Sequence, residues 1–133
     1  MFRTQQGGLL PLLLATAVIA VGCGDSNGPK KFIVSGTVTL KDGKPAPAGE
    51  IMFEPDADAG NKGAGSFTQI RNGSYSLPRE QGVAGGKYVV YITPFDGKAN
   101  VENAMGMPLV RAPHMEKLDL PTEDFAKDFQ LAK

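Results

Sequence analysis

Ser66-Phe67-Thr68-Gln69-Ile70-Arg71-Asn72-Gly73-Ser74-Tyr75-Ser76-Leu77 is the stretch on which the fold turns. Two short alternating segments, residues 66–70 and 74–77, meet across Arg71-Asn72-Gly73. Asn-Gly between alternating segments is the strongest short-range hairpin signal, because it supplies the φ > 0 conformations that a tight turn demands. Both segments are expected as strands facing each other, with Pro78 closing the second.

Working outward, the period of two persists. Upstream, Phe32, Val34, Val38 and Leu40 share one face with Gly36 between them, while Ser35, Thr37, Thr39 and Lys41 lie opposite and Ile33 is the exception. That is the pattern of a half-buried strand. Lys41-Asp42-Gly43-Lys44 reads as a turn, and the Pro-rich residues 45–49 extend the connection. A second strand is expected over residues 50–54, with Ile51 and Phe53 inward and Pro55 at its end. Residues 56–65 read as a loop. Downstream, Gly85-Gly86 introduces the longest apolar strand, residues 87–93, with Tyr88, Val90 and Ile92 inward and Pro94 as its stop. Residues 127–131 alternate again and place Phe129 and Leu131 in the core. Six short strands without a helical period predict an all-β sandwich. Residues 98–121 are long for a loop in a compact domain. Within them, residues 107–111 are expected as a seventh, short edge strand, since proline is tolerated at edges.

The beginning of the chain is different material. Arg3 supplies a short positive region, and residues 9–21 form an apolar run broken only by Pro11. Such a run fits the roughly 7–15 residues of a secretory leader and falls short of the roughly 20 needed to cross a bilayer as a helix. Ile19-Ala20-Val21-Gly22-Cys23 resembles the lipoprotein signal, in which an apolar residue and two small ones precede an obligatory cysteine. Ala20 stands where leucine is commonest in that pattern. The resemblance implies cleavage before Cys23, a diacylglycerol on its thiol, and attachment to a membrane of the cell envelope, facing the periplasm or the cell surface. The alternative is an ordinary secretory leader with an incidental cysteine. Cys23 is the sole cysteine of the chain and falls at the expected cut, which favours lipidation.

The domain boundaries follow: a leader over residues 1–22, the lipidated cysteine and a Gly/Ser/Asn/Pro-bearing tether over residues 23–31, and one β-domain over residues 32–133. Of 133 residues, 14 are Lys or Arg and 14 are Asp or Glu, and removing Arg3 with the leader leaves a net charge of −1. A balanced, interspersed charge excludes the basic face that a nucleic-acid partner requires. With Cys23 acylated, no thiol is left for a disulfide or a cysteine metal site.

Val34-Ser35-Gly36-Thr37-Val38-Thr39, Asp42-Gly43-Lys44-Pro45, Ile51-Met52-Phe53-Glu54-Pro55, Gly73-Ser74-Tyr75-Ser76-Leu77 and Gly86-Lys87-Tyr88-Val89-Val90 occur in one consistent succession. This order resembles the carboxypeptidase regulatory-like domain, a seven-stranded prealbumin-like (transthyretin-like, Ig-like) sandwich. The resemblance implies a non-catalytic structural or partner-binding role, and no functional residue transfers, because the matched positions are core and turn. The related transthyretin-like hydrolases use several histidines and a C-terminal tyrosine-containing signature; this chain has one histidine, His114, and ends Gln130-Leu131-Ala132-Lys133.

Candidate sites are few. His114 lies in Arg111-Ala112-Pro113-His114-Met115, read as a surface loop, with no nucleophile elbow in the chain to work with it. Glu54, Asp56, Asp58 and Asn61 gather oxygen ligands along one loop, yet Lys62 competes and a downstream bidentate glutamate is missing. A solvated acidic loop is therefore expected, with no metal or cofactor. Tyr91 and Phe95 are the candidate ligand or partner surface. They stand either outward, as a stacking platform for a sugar or peptide, or packed beneath residues 98–121. The expectation is a lipid-anchored envelope module with a non-catalytic structural or protein-interaction role and an envelope protein as partner. The alternative is a protein that binds envelope glycan or a small ligand.

Overall fold

The computed structural model describes residues 28–132. The leader, Cys23 and the first part of the tether lie outside the described residues. Eight strands follow in chain order: β1 (Val34–Thr39), β2 (Ala48–Pro55), β3 (Ser66–Arg71), β4 (Ser74–Leu77), β5 (Gly86–Phe95), β6 (His114–Leu120), β7 (Phe125–Ala126) and β8 (Phe129–Gln130). Among the described residues the only helical pieces are two three-residue 3-10 turns. The strands run in the order β6-β5-β2-β3-β4-β1-β7, and β8 also pairs with β1. The described residues are all-β, a mixed sheet curled into a sandwich.

The curl is made at the central hairpin. Asn72 and Gly73 adopt φ of 49° and 77°, the two positive values that a type I′ turn requires. β3 and β4 then share a single register pair, Arg71 opposite Ser74, before they part. β3 goes on with β2, β5 and β6, and β4 goes with β1. The two halves close on a core in which the rings of Phe53, Tyr75 and Phe129 lie 6.0–6.5 Å apart, centroid to centroid. Val34, Val38, Ile51, Leu77, Val90 and Ile92 are fully buried around them. All six are inward positions of alternating strands.

The second half is finished by the chain's last strands, which run parallel to β1: Val34 sits opposite Phe125 and Val38 opposite Phe129. Between β7 and β8 the backbone presses onto Gly36. Lys127 N–H donates to the Ser35 carbonyl at 2.8 Å, and Asp128 Oδ1 accepts from Thr37 N–H at 2.9 Å. A Cβ at position 36 would stand 1.9 Å from the Lys127 carbonyl oxygen, so only glycine fits without a shift.

One expected turn is present, and three expectations are corrected. Lys41-Asp42-Gly43-Lys44 does form a turn, with Gly43 at φ 83°, but β1 and β2 do not pair beyond it. One bridge, Thr39 to Pro45, is made, and the proline-bearing residues then carry the chain to the other half. Pro94 does not stop β5, which continues to Phe95. Its carbonyl accepts from Leu109 N–H at 2.8 Å, on the side away from β2, so the missing N–H also points away and no ladder bond is lost. Residues 107–111 are not a strand; a single bridge joins Pro108 to Phe95. The further full strand is β6, inside the segment expected as loop, and His114 is its first residue rather than a loop residue.

Candidate functional site

Alternation along β2 turns Glu50, Met52 and Glu54 outward while Ile51 and Phe53 enter the core. The register then decides what lies beside Met52. Phe67 on β3 is directly opposite it on one side and Tyr91 on β5 on the other. Met115 on β6 is opposite Tyr91. Phe67, Met52, Tyr91 and Met115 thus form one row across all four strands, about 14 Å long at the usual strand spacing. Phe67 is 63% exposed, Met115 58% and Met52 46%, and Tyr91 is half-buried between the two methionines. Glu54, Val89 and Lys117 flank the row on one side and Gln69, Glu50 and Thr93 on the other. A contiguous apolar strip with a mostly polar rim is the form that binding surfaces take on otherwise polar proteins.

Phe95 does not join it. At 9% exposure the ring is buried, opposite Ala48 and bridged to Pro108, so it packs beneath the loop as the second reading of this residue held. It lies four residues along the strand from Tyr91, about 13 Å away, and the two rings do not share a platform. The loop above Phe95 is held by its own bonds. Asp96 N–H donates to the Met107 carbonyl at 2.9 Å and Gly97 N–H to that of Met105 at 3.0 Å. Asp96 Oδ1 accepts from the backbone of Lys98 at 2.8 Å and Met107 at 3.1 Å.

His114 lines a cavity of about 850 Å³ at one end of the sandwich, with Leu40, Pro94, Leu109, Arg111 and Leu131 among its walls. Its Nε2 is buried without a hydrogen bond, 3.7 Å from Glu116 Oε2. The lining includes no hydroxyl or thiol side chain among the described residues, so the serine or cysteine partner that an imidazole base activates is not placed there. No protein-family model matches this chain, and no curated protein matches it either. The acidic loop is engaged in structure. Asp56 is buried, caps the 3-10 turn through Ala59 N–H at 3.3 Å, and meets Lys117 at 3.6 Å. Asn61 Nδ2 donates to the Lys87 carbonyl at 2.7 Å. Among the described residues no three His, Cys, Asp or Glu side chains converge as metal ligands.

Of the residues singled out from sequence, Tyr91 belongs to the exposed row. Met52, Phe67 and Met115 escaped sequence reasoning. The available signal was apolar side chains at the outward parity of three strands; only the register shows that they align.

Proposed function

We propose that this chain is a lipid-anchored module of the bacterial cell envelope, built on a carboxypeptidase regulatory-like sandwich, that binds a protein partner and has no catalytic role. The observation that carries the reading is the exposed row Phe67–Met52–Tyr91–Met115 with its mostly polar rim. Ile19-Ala20-Val21-Gly22-Cys23 supports the anchor, and the succession of strand motifs supports the domain. The alternative, binding of envelope glycan or another small ligand, is favoured by one feature, the His114 cavity with Arg111 at its wall.

The test is a photo-crosslinking side chain at position 52 or 115 in intact cells, beside one at the exposed Thr37 on the opposite half. Recovery of one envelope protein from the row positions alone supports the interaction module. Glycan fragments in place of protein, lost on Arg111→Ala, would move the reading to the alternative. Mass spectrometry of the N-terminal cysteine decides the anchor separately, and membrane retention of Cys23→Ser equal to wild type would remove it.

A further inference from the structure

The outer face of the β6-β5-β2-β3 half carries its charges unevenly. Lys87 pairs with Asp119 at 3.5 Å and Lys117 with Asp56 at 3.6 Å, so the two lysines that the register places on this face are neutralised where they stand. Arg71, the outward residue of β3 beyond Gln69, gives its guanidinium to the Gln69 side chain at 2.9 Å. Glu50 and Glu54 are exposed and have no ion-pair partner among the described residues. They are the outward residues on either side of Met52 in β2. Each carboxylate therefore stands about 7 Å from the apolar row, and the two are about 13 Å apart along the strand. The row is flanked near its middle by one uncompensated negative charge on each bank.

The backbone narrows what fits there. β2 and β5 are paired along both edges, so a chain lying over their outer face finds no ladder groups to bond. An extended segment would bury its own N–H and C=O groups unmet, whereas a helix satisfies them within itself. The dimensions agree. A row about 14 Å long takes about nine residues of helix, and a helix about 10–12 Å across fits between carboxylates about 13 Å apart. Two of the four row members, Met52 and Met115, have unbranched, polarizable side chains that adapt to the apolar groups they meet.

We propose that the row receives an amphipathic helix of a partner protein, laid across the strands, with an apolar stripe on Phe67, Met52, Tyr91 and Met115 and with Lys or Arg on both flanks over Glu50 and Glu54. The choice of partner rests on the interaction reading above. Apolar side chains at i, i+4 and i+7 supply the attachment, and the paired carboxylates select basic flanks. The same two charges disfavour an anionic lipid surface as the occupant.

The probe is the capped, fluorescent peptide Ala-Leu-Lys-Ala-Lys-Leu-Ala-Ala-Leu-Lys-Ala-Lys-Leu-Ala, whose leucines form one stripe with lysines along both flanks. It is titrated with the purified mature protein in discs of neutral lipid and followed by polarisation. One companion peptide carries Glu for every Lys, and another carries Pro-Pro for the central Ala-Ala. The protein variants are Glu50→Gln combined with Glu54→Gln, and Met52→Lys, all at exposed positions; thermal unfolding checks that both fold. We expect saturable binding of the lysine peptide to wild type, weaker at high salt and weakened about tenfold or more by either variant. The methyl resonances of Met52 and Met115 should shift while that of Met105, in the loop above Phe95, stays unmoved. Both companion peptides should bind at least about tenfold more weakly. Absence of binding by the lysine peptide up to about 1 mM overturns the proposal. Equal binding by the glutamine variant or by the glutamate peptide removes the basic flanks, and equal binding by the proline peptide removes the helix. In either case the proposal falls, while the interaction reading is left to the cellular crosslink. Shifts at Met52 and Met115 without peptide, on raising the protein concentration or in anionic discs, also overturn it, since the occupant is then a second copy of this chain or the membrane.

Discussion

The phenol of Tyr75 donates to the Lys127 carbonyl at 2.5 Å. Burial, joined by the Asp128 carboxylate, pushes its ionisation well above the usual tyrosine range. Tyr75→Phe leaves that carbonyl without this donor and should cost about 1–3 kcal/mol in urea unfolding. Folding favours the neutral phenol, so its contribution is complete below about pH 10 and is lost as pH rises toward the higher folded value; the phenylalanine variant should show a flatter alkaline decline. Asp124 has the opposite sign. The backbone N–H of Ile33 at 2.9 Å, with the Arg79 guanidinium at 2.6 Å, holds its carboxyl below the usual carboxylate range against a smaller effect of burial. Its contribution is present above the unfolded value of about 3.9 and disappears as pH falls through the folded value. Asp124→Asn should lower the unfolding midpoint at pH 7, and the gap to wild type should narrow as pH falls through and below the ordinary carboxylate range. Tyr75 was legible as a hairpin core residue from its place in Asn-Gly-Ser-Tyr-Ser-Leu. Its partner, 52 residues away, was not, because a hydrogen bond to a distant carbonyl leaves no mark in local periodicity.

The strands differ in how much of themselves they show in sequence. β1, β2 and β5 are paired along both edges with one face on the core, so their inward residues are apolar and the period of two is plain. β6 is an edge, and there the pattern weakens: Met115 faces out and Glu116 faces in. The two signs that remained were Leu118 and Leu120 around Asp119. Pro94 misled for a related reason, since whether proline ends a strand depends on which side its missing N–H would face. Gly36 is where an element depends on a single residue. Gly36→Ala should force β1 and the Lys127 carbonyl apart at a cost of about 1–3 kcal/mol, measured by chemical unfolding. At the other end of the sandwich, Phe95→Ala should cost about 3 kcal/mol and speed amide exchange at Met107 and Leu109 while leaving the β2–β5 ladder protected.

Over the whole molecule, the surface separates into unlike regions. One half presents an apolar row that no single strand reveals, because each contributes one side chain at a position otherwise polar. One end carries the His114 cavity, and a trough lies between β3 and β4 where the halves meet. The sequence made the core visible and left these regions hidden, since surfaces are composed by register and curl across segments far apart in the chain. The closing strands make the same point for stability. Phe125, Phe129 and Leu131 pack into a core whose other members begin at Phe32, so a chain ending at residue 127 should lose cooperative unfolding and bind a hydrophobic dye.

That dependence on residues 125–131 has a temporal side. A ribosome or an export channel delivers the amino end first, and β1 then waits for partners some ninety positions behind it. Until they emerge, Val38, Phe53 and Tyr75 lack the cover that Phe129 supplies. The core of such a chain is closed only once residues 125–131 have arrived.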